Sequence, residues 1–353
     1  MSVKKRVRIV IFVFVFLVLG IVGFILLRAG LSAKVPAVEK TAEHRSVYFG
    51  QYPQSMLKDE ALIAKLNKLE AKWQSYGYYN GNGAMGSAKQ SDYAQYADVV
   101  FAGKKYRAVR LSQYRSHHTH GVPQVNWQSE RFELNKTYWF KYEPIEWIVL
   151  SEEEHLLMSK MLLDSQPINN VIYSKTPELD LFSECYYKDP DFRTFATDYA
   201  SSDIRQWLND DFYKTAFSQE EAQRIVESNL DNSAWSRRDS KFNSADTVDK
   251  VFLLSYDEAK NPAYGFYALA EKEQEVRTGF GTDYAFSQGM LGVTDSYHNG
   301  TMWWWLRSAA AYGRLNVAVN FQGSIRLTFD LPYAPDCTDS GIRPALRLDS
   351  LDK

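Results

Sequence analysis

Three consecutive tryptophans, Trp303 to Trp305, constrain the fold of this chain more than any other feature of its sequence. Leu306, Arg307 and Ser308 follow them directly. A tryptophan ring carries a large apolar area, so three adjacent rings in a solvated loop would raise the free energy of the folded state considerably. The tryptophan run therefore predicts a buried strand, a binding surface, or both.

Side chains alternate between the two faces of a strand, and this alternation divides the tryptophan run into two sets. Trp303, Trp305 and Arg307 share one face, while Trp304 and Leu306 lie on the other. We predict that Trp304 and Leu306 are structural core residues.

The face that carries Arg307 has two interpretations. In the structural one, Arg307 stacks on Trp305 as a cation–π pair and Arg343 binds an internal carboxylate. In the functional one, this face lines a groove for a sugar, because aromatic rings stack on apolar sugar faces while amide and guanidinium groups bind hydroxyls. The candidate ligand-binding residues are Trp305, Arg307, Tyr312, Asn316 and Asn320.

An uncharged apolar run from Ile9 to Leu27 lies near the N-terminus. As a helix it covers roughly 28 Å, about the hydrocarbon thickness of a bilayer. Four basic residues precede it and two follow, which predicts a cytoplasmic N-terminus and a single pass through the cell membrane. We expect an uncleaved anchor, with a cleaved signal peptide as the alternative. The predicted organisation is a cytoplasmic tail over 1–8, a transmembrane helix over 9–27, a linker over 28–45 and an extracytoplasmic domain over 46–350.

The charge of the predicted domain excludes one class of partner. Without the six basic residues of positions 1–34, the chain has 35 basic and 43 acidic side chains. Phosphate backbones repel an acidic domain, so we do not expect nucleic-acid binding. Neutral or basic ligands fit this domain better.

The chain contains two cysteines, Cys185 and Cys337. Outside the cytoplasm they could form a disulfide, which would contribute about 4–5 kcal/mol in the chain-entropy model. Two buried thiols are the alternative. We predict no cofactor and no metal centre, although Asp295 and Asn299 resemble part of a calcium-binding loop and leave Ca²⁺ open.

Two local strand patterns can be read directly. A short strand over 47–50 should end at a turn formed by Tyr52-Pro53, and strands over 99–101 and 106–114 should form a hairpin around a turn at Ala102-Gly103-Lys104.

Strand patterns outnumber helix patterns in the predicted domain. Helices are expected over 58–73 and 202–212, and a capping box at 218–221 starts a third. Because strands and helices do not alternate regularly, the predicted fold is α+β, a compact mixed domain with small irregular antiparallel sheets. A subdivision near residue 130 is the alternative to a single domain.

Six segments occur in an order typical of one bacterial family. They cover 47–55, 144–151, 202–209, 251–255, 304–308 and 341–346. In these segments the chain resembles the family known as domain of unknown function 6273. The resemblance implies a fold similar to the C-type-lectin-like and formylglycine-generating-enzyme-like folds, and it implies no activity.

We expect a binding module that recognises a glycan or a surface protein, and more readily a non-enzyme than an enzyme. The sequence has no G-x-S-x-G elbow, H-E-x-x-H motif or P-loop. Formylglycine-generating enzymes need a reactive cysteine pair near the C-terminus, where this chain has only Cys337. Two alternatives stay open: a hydrolase or oxidase acting on the cell envelope, and a structural or sensory partner of another membrane protein.

Overall fold

Strands outnumber helices in the computed structural model of this protein. The structure describes residues 44–76, 94–115, 127–170, 172–174, 185–187, 191, 193–235, 240–291, 300–310, 315–326 and 338–352. The strands are β1 Ser46–Met56, β2 Gln74–Ser75, β3 Ala94–Phe101, β4 Lys104–Leu111, β5 Thr137–Ser151, β6 Leu156–Ser159, β7 Met161–Leu162, β8 Asp164–Ser165, β9 Ile172–Ser174, β10 Cys185–Tyr187, β11 Ile225–Val226, β12 Ser228–Leu230, β13 Thr247–Asp249, β14 Val251–Phe252, β15 Gly279–Gly281, β16 Thr301–Met302, β17 Trp304–Ala309, β18 Asn316–Val319, β19 Ile325–Arg326, β20 Gly341–Ile342 and β21 Ala345–Leu348.

The helices are short and lie between these strands. They are α1 Glu60–Leu66, α2 Trp127–Arg131, α3 Asp203–Trp207, α4 Tyr213–Ala216, α5 Gln219–Arg224 and α6 Asp283–Ser287, with a π-helical turn over Leu208–Phe212 and 3₁₀ turns over Ser240–Phe242, Glu258–Lys260, Pro262–Tyr264 and Glu275–Arg277. Helix α1 is shorter than the predicted 58–73, because the Trp139 indole N–H bonds the Asn67 side chain at 2.8 Å and ties the helix end to β5.

The long strand β5 organises the largest sheet. In the described part of the chain this sheet has nine strands: β11-β21-β6-β5-β4-β3-β2 in order, with β1 on β5 and β14 on β21. Strands β3 and β4 form the predicted hairpin, whose turn at Ala102 and Gly103 has positive φ at both residues. Strands from both sides of residue 130 thus share one sheet.

The predicted fold class needs correction in its details. The mixed α+β character holds, but the sheets are neither all small nor all antiparallel. The main sheet has nine strands among the described residues, and the pairs β7–β15 and β17–β20 are parallel. The predicted break after Tyr52-Pro53 is also wrong, because β1 continues to Met56 along β5 through two register shifts.

The predicted transmembrane helix is corrected as well. No helix within the described residues is both long and apolar enough to cross a membrane. The run over 9–27 lies outside those residues.

The tryptophan run lies in a second sheet, with the order β19-β18-β17-β20-β8. Every residue of β17 is buried, so both faces of this strand contact protein. The indole N–H of Trp304 donates to the carbonyl of Arg277 at 2.9 Å, and that of Trp305 to the carbonyl of Gln166 at 3.1 Å. These bonds satisfy the polar atom of each ring, which lets the rings be fully buried.

One irregular helix, formed by α3, the π-helical turn and α4, spans residues 203–216; we call it the helical wall. Ser202 caps its start, as its hydroxyl accepts from the Arg205 N–H at 3.2 Å. The predicted helix ended at Phe212, but the wall continues to Ala216 through the π-turn. The predicted capping box at Ser218 and Glu221 is confirmed, since each side chain bonds the other's backbone N–H.

Candidate ligand-binding site

An open cavity of about 290 Å³, the first cavity, lies between the helical wall and the β3–β4 hairpin. Aromatic rings form much of its lining, from Tyr52, Tyr76, Tyr96, Trp207 and Tyr284. Carboxylates, amides and a guanidinium complete it, from Asp203, Asp210, Asp211, Gln166, Asn170, Gln206 and Arg107. Its volume is close to the lower end of the range for small-molecule sites, which starts at about 300 Å³.

Arg107 on β4 is the cation of this cavity and is only 4% exposed. Its Nε and Nη2 each donate to Asp98 at 2.8 Å, and its Nη1 donates to the Tyr284 hydroxyl at 3.1 Å. Its guanidinium also lies over the Tyr96 ring, 4.6 Å from the centroid. Within the described residues these bonds use three of its five N–H groups. Two donors therefore stay available at the cavity lining.

Burial and the attraction between opposite charges have opposite effects on the pKa values of Arg107 and Asp98. Burial favours a neutral Arg107, but the Tyr284 hydroxyl and the Asp98 carboxylate outweigh it and raise the pKa of Arg107 above its ordinary value. Burial likewise raises the pKa of Asp98, but hydrogen bonds from Arg107 and its positive charge leave that pKa lowered. The pair is thus charged at neutral pH and holds the guanidinium in place.

Tyrosine hydroxyls connect the floor of the cavity to the core. The hydroxyls of Tyr76 and Tyr284 lie 2.5 Å apart, and the Tyr52 hydroxyl donates to Asp164 at 2.7 Å. Asp164 is 1% exposed and also accepts from the Ser165 N–H and the Gln166 amide. Desolvation raises the pKa of Asp164 to about 6, although these three donors lower it. A titratable carboxyl therefore holds two residues of the cavity lining, Tyr52 and Gln166.

The helical wall places its polar side chains along the opposite side. Trp207, Asp210, Asp211 and Thr215 recur at three- and four-residue spacing, which brings them to one face of a helix. The π-turn lies among them, and such turns are frequent at functional sites. Asp210 forms an ion pair with Lys214.

A second cavity of about 240 Å³ lies beside the start of the loop after β12. Its lining includes Arg307, Glu258, Trp235 and Tyr256. Arg307 makes five hydrogen bonds there: to Glu258 at 2.5 and 3.2 Å, to the carbonyls of Leu253 and Asp231, and to the Asn232 side chain. These equal its five N–H groups, so protein acceptors match its full donor capacity.

The chain matches the family described as domain of unknown function (DUF6273) over residues 153–350. That range is more than half of the chain. The chain belongs to this family. No curated protein and no solved structure matches it. The DUF6273 match contains Asp164, the helical wall and the tryptophan run, while Arg107 and Tyr96 precede it. The family description states no activity, and the likeness to lectin folds and the bacterial origin stay predictions.

The predicted ligand-binding residues of this DUF6273 protein do not meet in one groove. Among the described residues, Arg307 lines the second cavity, while Trp305, Asn316 and Asn320 line neither cavity. Trp305, Arg307, Asn316 and Asn320 are all buried. The Asn320 side chain accepts from the N–H groups of Gln322 and Ser324, which closes the turn between β18 and β19. Tyr312 lies outside the described residues, and the ligand roles of all five stay predictions.

The residues assigned to structure are all buried. Trp304 and Leu306 are fully buried, and Arg343 is 1% exposed. Arg343 donates to the backbone carbonyls of Ser159, Val276, Arg277 and Lys160, with no carboxylate among its described partners. Without an anion beside it, desolvation lowers the pKa of Arg343 to about 9. The internal carboxylate partner predicted for Arg343 is therefore not found among its described contacts, and the carboxylate of Glu258 bonds Arg307.

Several other predictions fall partly or wholly outside the described residues. They concern the thiol of Cys185, the whole of Cys337, and the calcium alternative at Asp295 and Asn299. Among the residues that the structure describes, no group of three or more His, Cys, Asp or Glu is placed to hold a metal ion.

Arg107 is the main site residue that sequence reasoning missed. A signal for it existed, because the turn predicted at Ala102-Gly103 sets the register of the hairpin. That register places Arg107 directly opposite Asp98 across β3 and β4. A cross-strand pair of opposite charges could have identified Arg107 from the sequence.

Proposed function

We propose that this domain is a saccharide-binding module whose ligand occupies the first cavity. The observation that carries the proposal is the combination of aromatic rings with polar groups around one open cavity of about 290 Å³. Tyr96 and Trp207 contribute aromatic surface to the lining, while Arg107 contributes hydrogen-bond donors. Sugars present apolar faces together with hydroxyls, and this lining complements both.

Preorganisation supports the proposal. Arg107 is held by two bonds to Asp98, and Tyr96 is held by a bond to Gln74 and by its ring contact with Tyr76. Fixed side chains lose little conformational entropy on binding, so more of the contact free energy is retained as affinity.

The test uses the purified full-length chain on a glycan array, followed by calorimetry with the glycans that bind. We expect Tyr96→Ala to weaken binding at least about tenfold, because it removes an aromatic ring from the lining of the first cavity. Tyr256→Ala is the matched control, since Tyr256 lines the second cavity, and its affinity should equal that of the wild type. Absence of any glycan binding, or equal losses in the two variants, would reject the proposal.

Hydrolysis at the same cavity is a second candidate function. It is favoured by Asp211, a cavity carboxyl whose pKa is raised by desolvation and by the charge of Asp210. Titratable groups with shifted pKa values in a cavity are candidate general acids. Release of new reducing ends from a bound glycan, lost in Asp211→Asn, would favour this function over simple binding.

A further inference from the structure

Negatively charged side chains outnumber positively charged ones in the described lining of the first cavity. The helical wall contributes the carboxylates of Asp203, Asp210 and Asp211, whereas the guanidinium of Arg107 is the one described cation of the lining. Two hydrogen bonds of 2.8 Å already match that guanidinium with Asp98, which is not a lining residue. The charge that faces the cavity is therefore mainly negative.

Asp211 is the carboxylate with the least compensation. In the part of the chain that the structure describes, it forms no ion pair, while its neighbour Asp210 is paired with Lys214. Desolvation and the negative charge of Asp210 raise the pKa of Asp211, and the more distant charges of Lys214 and Arg107 only partly oppose this. A cation bound in the cavity would lower the free energy of the ionised Asp211.

Arg107 points to a polar ligand independently of these carboxylates. It is almost fully buried and has two N–H groups without an acceptor among the described residues. Buried polar groups are normally hydrogen-bonded, so these donors suit a ligand that brings acceptor oxygens.

Aromatic rings add a second means of holding a cation. Trp207 lines the cavity from the helical wall, three and four residues before Asp210 and Asp211, and the rings of Tyr76 and Tyr284 also belong to the lining. The face of an aromatic ring attracts a positive charge, and a cavity that excludes much of the water strengthens this attraction. Rings and carboxylates together favour an ammonium group over a neutral substituent.

We propose that the ligand of the first cavity is an amino sugar with a free, protonated amine, held with its amine at Asp210 and Asp211. Its hydroxyl oxygens then accept from the N–H groups of Arg107. This inference rests on the proposed saccharide-binding function and names the ligand class of that site. It requires that N-acetylation of the same sugar weakens binding, because acetylation removes the positive charge and adds bulk at the carboxylates.

The experiment compares two probes by calorimetry with the full-length protein: an oligomer of glucosamine and the same oligomer fully N-acetylated. A pH of about 6 keeps the amine protonated and ordinary carboxylates ionised. We expect the free-amine oligomer to bind at least about fivefold more tightly than its acetylated form. Asp211→Asn should reduce this preference. Asp257→Asn, which removes a carboxylate at the second cavity, should leave it unchanged.

Each remaining outcome decides against the amino-sugar inference, against saccharide binding, or against both. Equal affinities for the two oligomers would overturn the amino-sugar inference and leave saccharide binding intact. Binding of neither oligomer, nor of any glycan on the array, would overturn both. A preference for the free amine that Asp257→Asn reduces as much as Asp211→Asn would show general attraction of a cation to an acidic protein, and would also overturn the inference. Far-ultraviolet circular dichroism of both variants checks that their fold is retained.

Discussion

At the scale of single residues, Asp164 couples the core to the first cavity. Its carboxyl accepts from the Tyr52 hydroxyl and the Gln166 amide, and both of those residues line the cavity. Its backbone pairs with β20 through Ile342. Loss of its charge would therefore act on the cavity through the two residues that it positions.

Replacement of Asp164 by Asn should change how stability depends on pH. Its pKa is raised to about 6 in the folded state, against 3.8 for the unperturbed group. Between these values the folded state binds more protons than the unfolded state, so this group lowers stability as pH rises. The difference in unfolding free energy, Asp164→Asn minus wild type, should increase by about 2 kcal/mol from pH 4 to pH 6 and become level above about pH 7. Urea unfolding at several pH values measures it.

The comparison must be a difference between variants, because other groups act in the opposite direction. Asp98 and Glu258 have lowered pKa values, despite desolvation, through their bonds and charge interactions with Arg107 and Arg307. Their contribution is present above the unfolded pKa and is lost as pH falls. This contribution is the same in the wild type and in Asp164→Asn, so it cancels in the difference between their unfolding free energies. A difference that is flat across this pH range would contradict the assigned pKa of Asp164.

At the scale of elements, the helical wall depends on Asn209 in its π-turn. The Asn209 amide donates to the carbonyls of Arg205 and Val251, and its oxygen accepts from the N–H groups of Lys250 and Val251. One side chain therefore attaches the wall to the start of β14. This attachment sets where Trp207 and Asp211 stand at the cavity.

Asn209→Ala should weaken both the fold and the site. It leaves the N–H groups of Lys250 and Val251 without their acceptor, which costs about 1–3 kcal/mol in unfolding free energy. It also frees the π-turn, so glycan affinity should fall more than the residual folded fraction explains. Urea unfolding and calorimetry measure the two effects. Asn229→Ala, at an exposed position of β12, is the matched control and should show neither. Unchanged affinity in Asn209→Ala would separate the π-turn from the site.

At the scale of the whole molecule, the DUF6273 match covers only part of the folding unit, which begins well before residue 153. The match begins at residue 153, but β6 within it pairs with β5, which ends at Ser151. Strand β5 also carries Phe140 and Trp147, which are fully buried in the same core as the tryptophan run. Residues 44–151 therefore complete the sheet and the core of the matched segment.

A fragment of residues 153–350 should accordingly fail to fold as a monomer. Removal of β5 exposes the edge of β6 and the apolar faces that it covers, and open apolar edges aggregate. A fragment of residues 44–352 retains every described strand and is the matched control. Analytical ultracentrifugation and urea unfolding distinguish the two. A monomeric 153–350 fragment with a cooperative transition would show that the matched segment is a folding unit by itself.

Much of the local structure could be predicted from the sequence. Turn chemistry located the β3–β4 hairpin, a capping box located the start of α5, and the tryptophan run marked a buried strand. Family membership followed from short segments. These features depend on neighbouring residues and on periodicity, which a linear sequence displays directly. The predicted location at the cell membrane and the disulfide stay predictions of the same kind.

Only the tertiary structure decided which side chains meet. The first cavity joins Tyr52, Arg107, Trp207 and Tyr284, which are far apart in the chain and come from separate elements. We expected a carboxylate partner for Arg343. The buried carboxylate of Glu258 pairs with Arg307 instead, and Arg343 donates to backbone carbonyls such as that of Ser159. A local sequence pattern is compatible with many contacts between distant side chains. The packing of the whole core determines which of these contacts form.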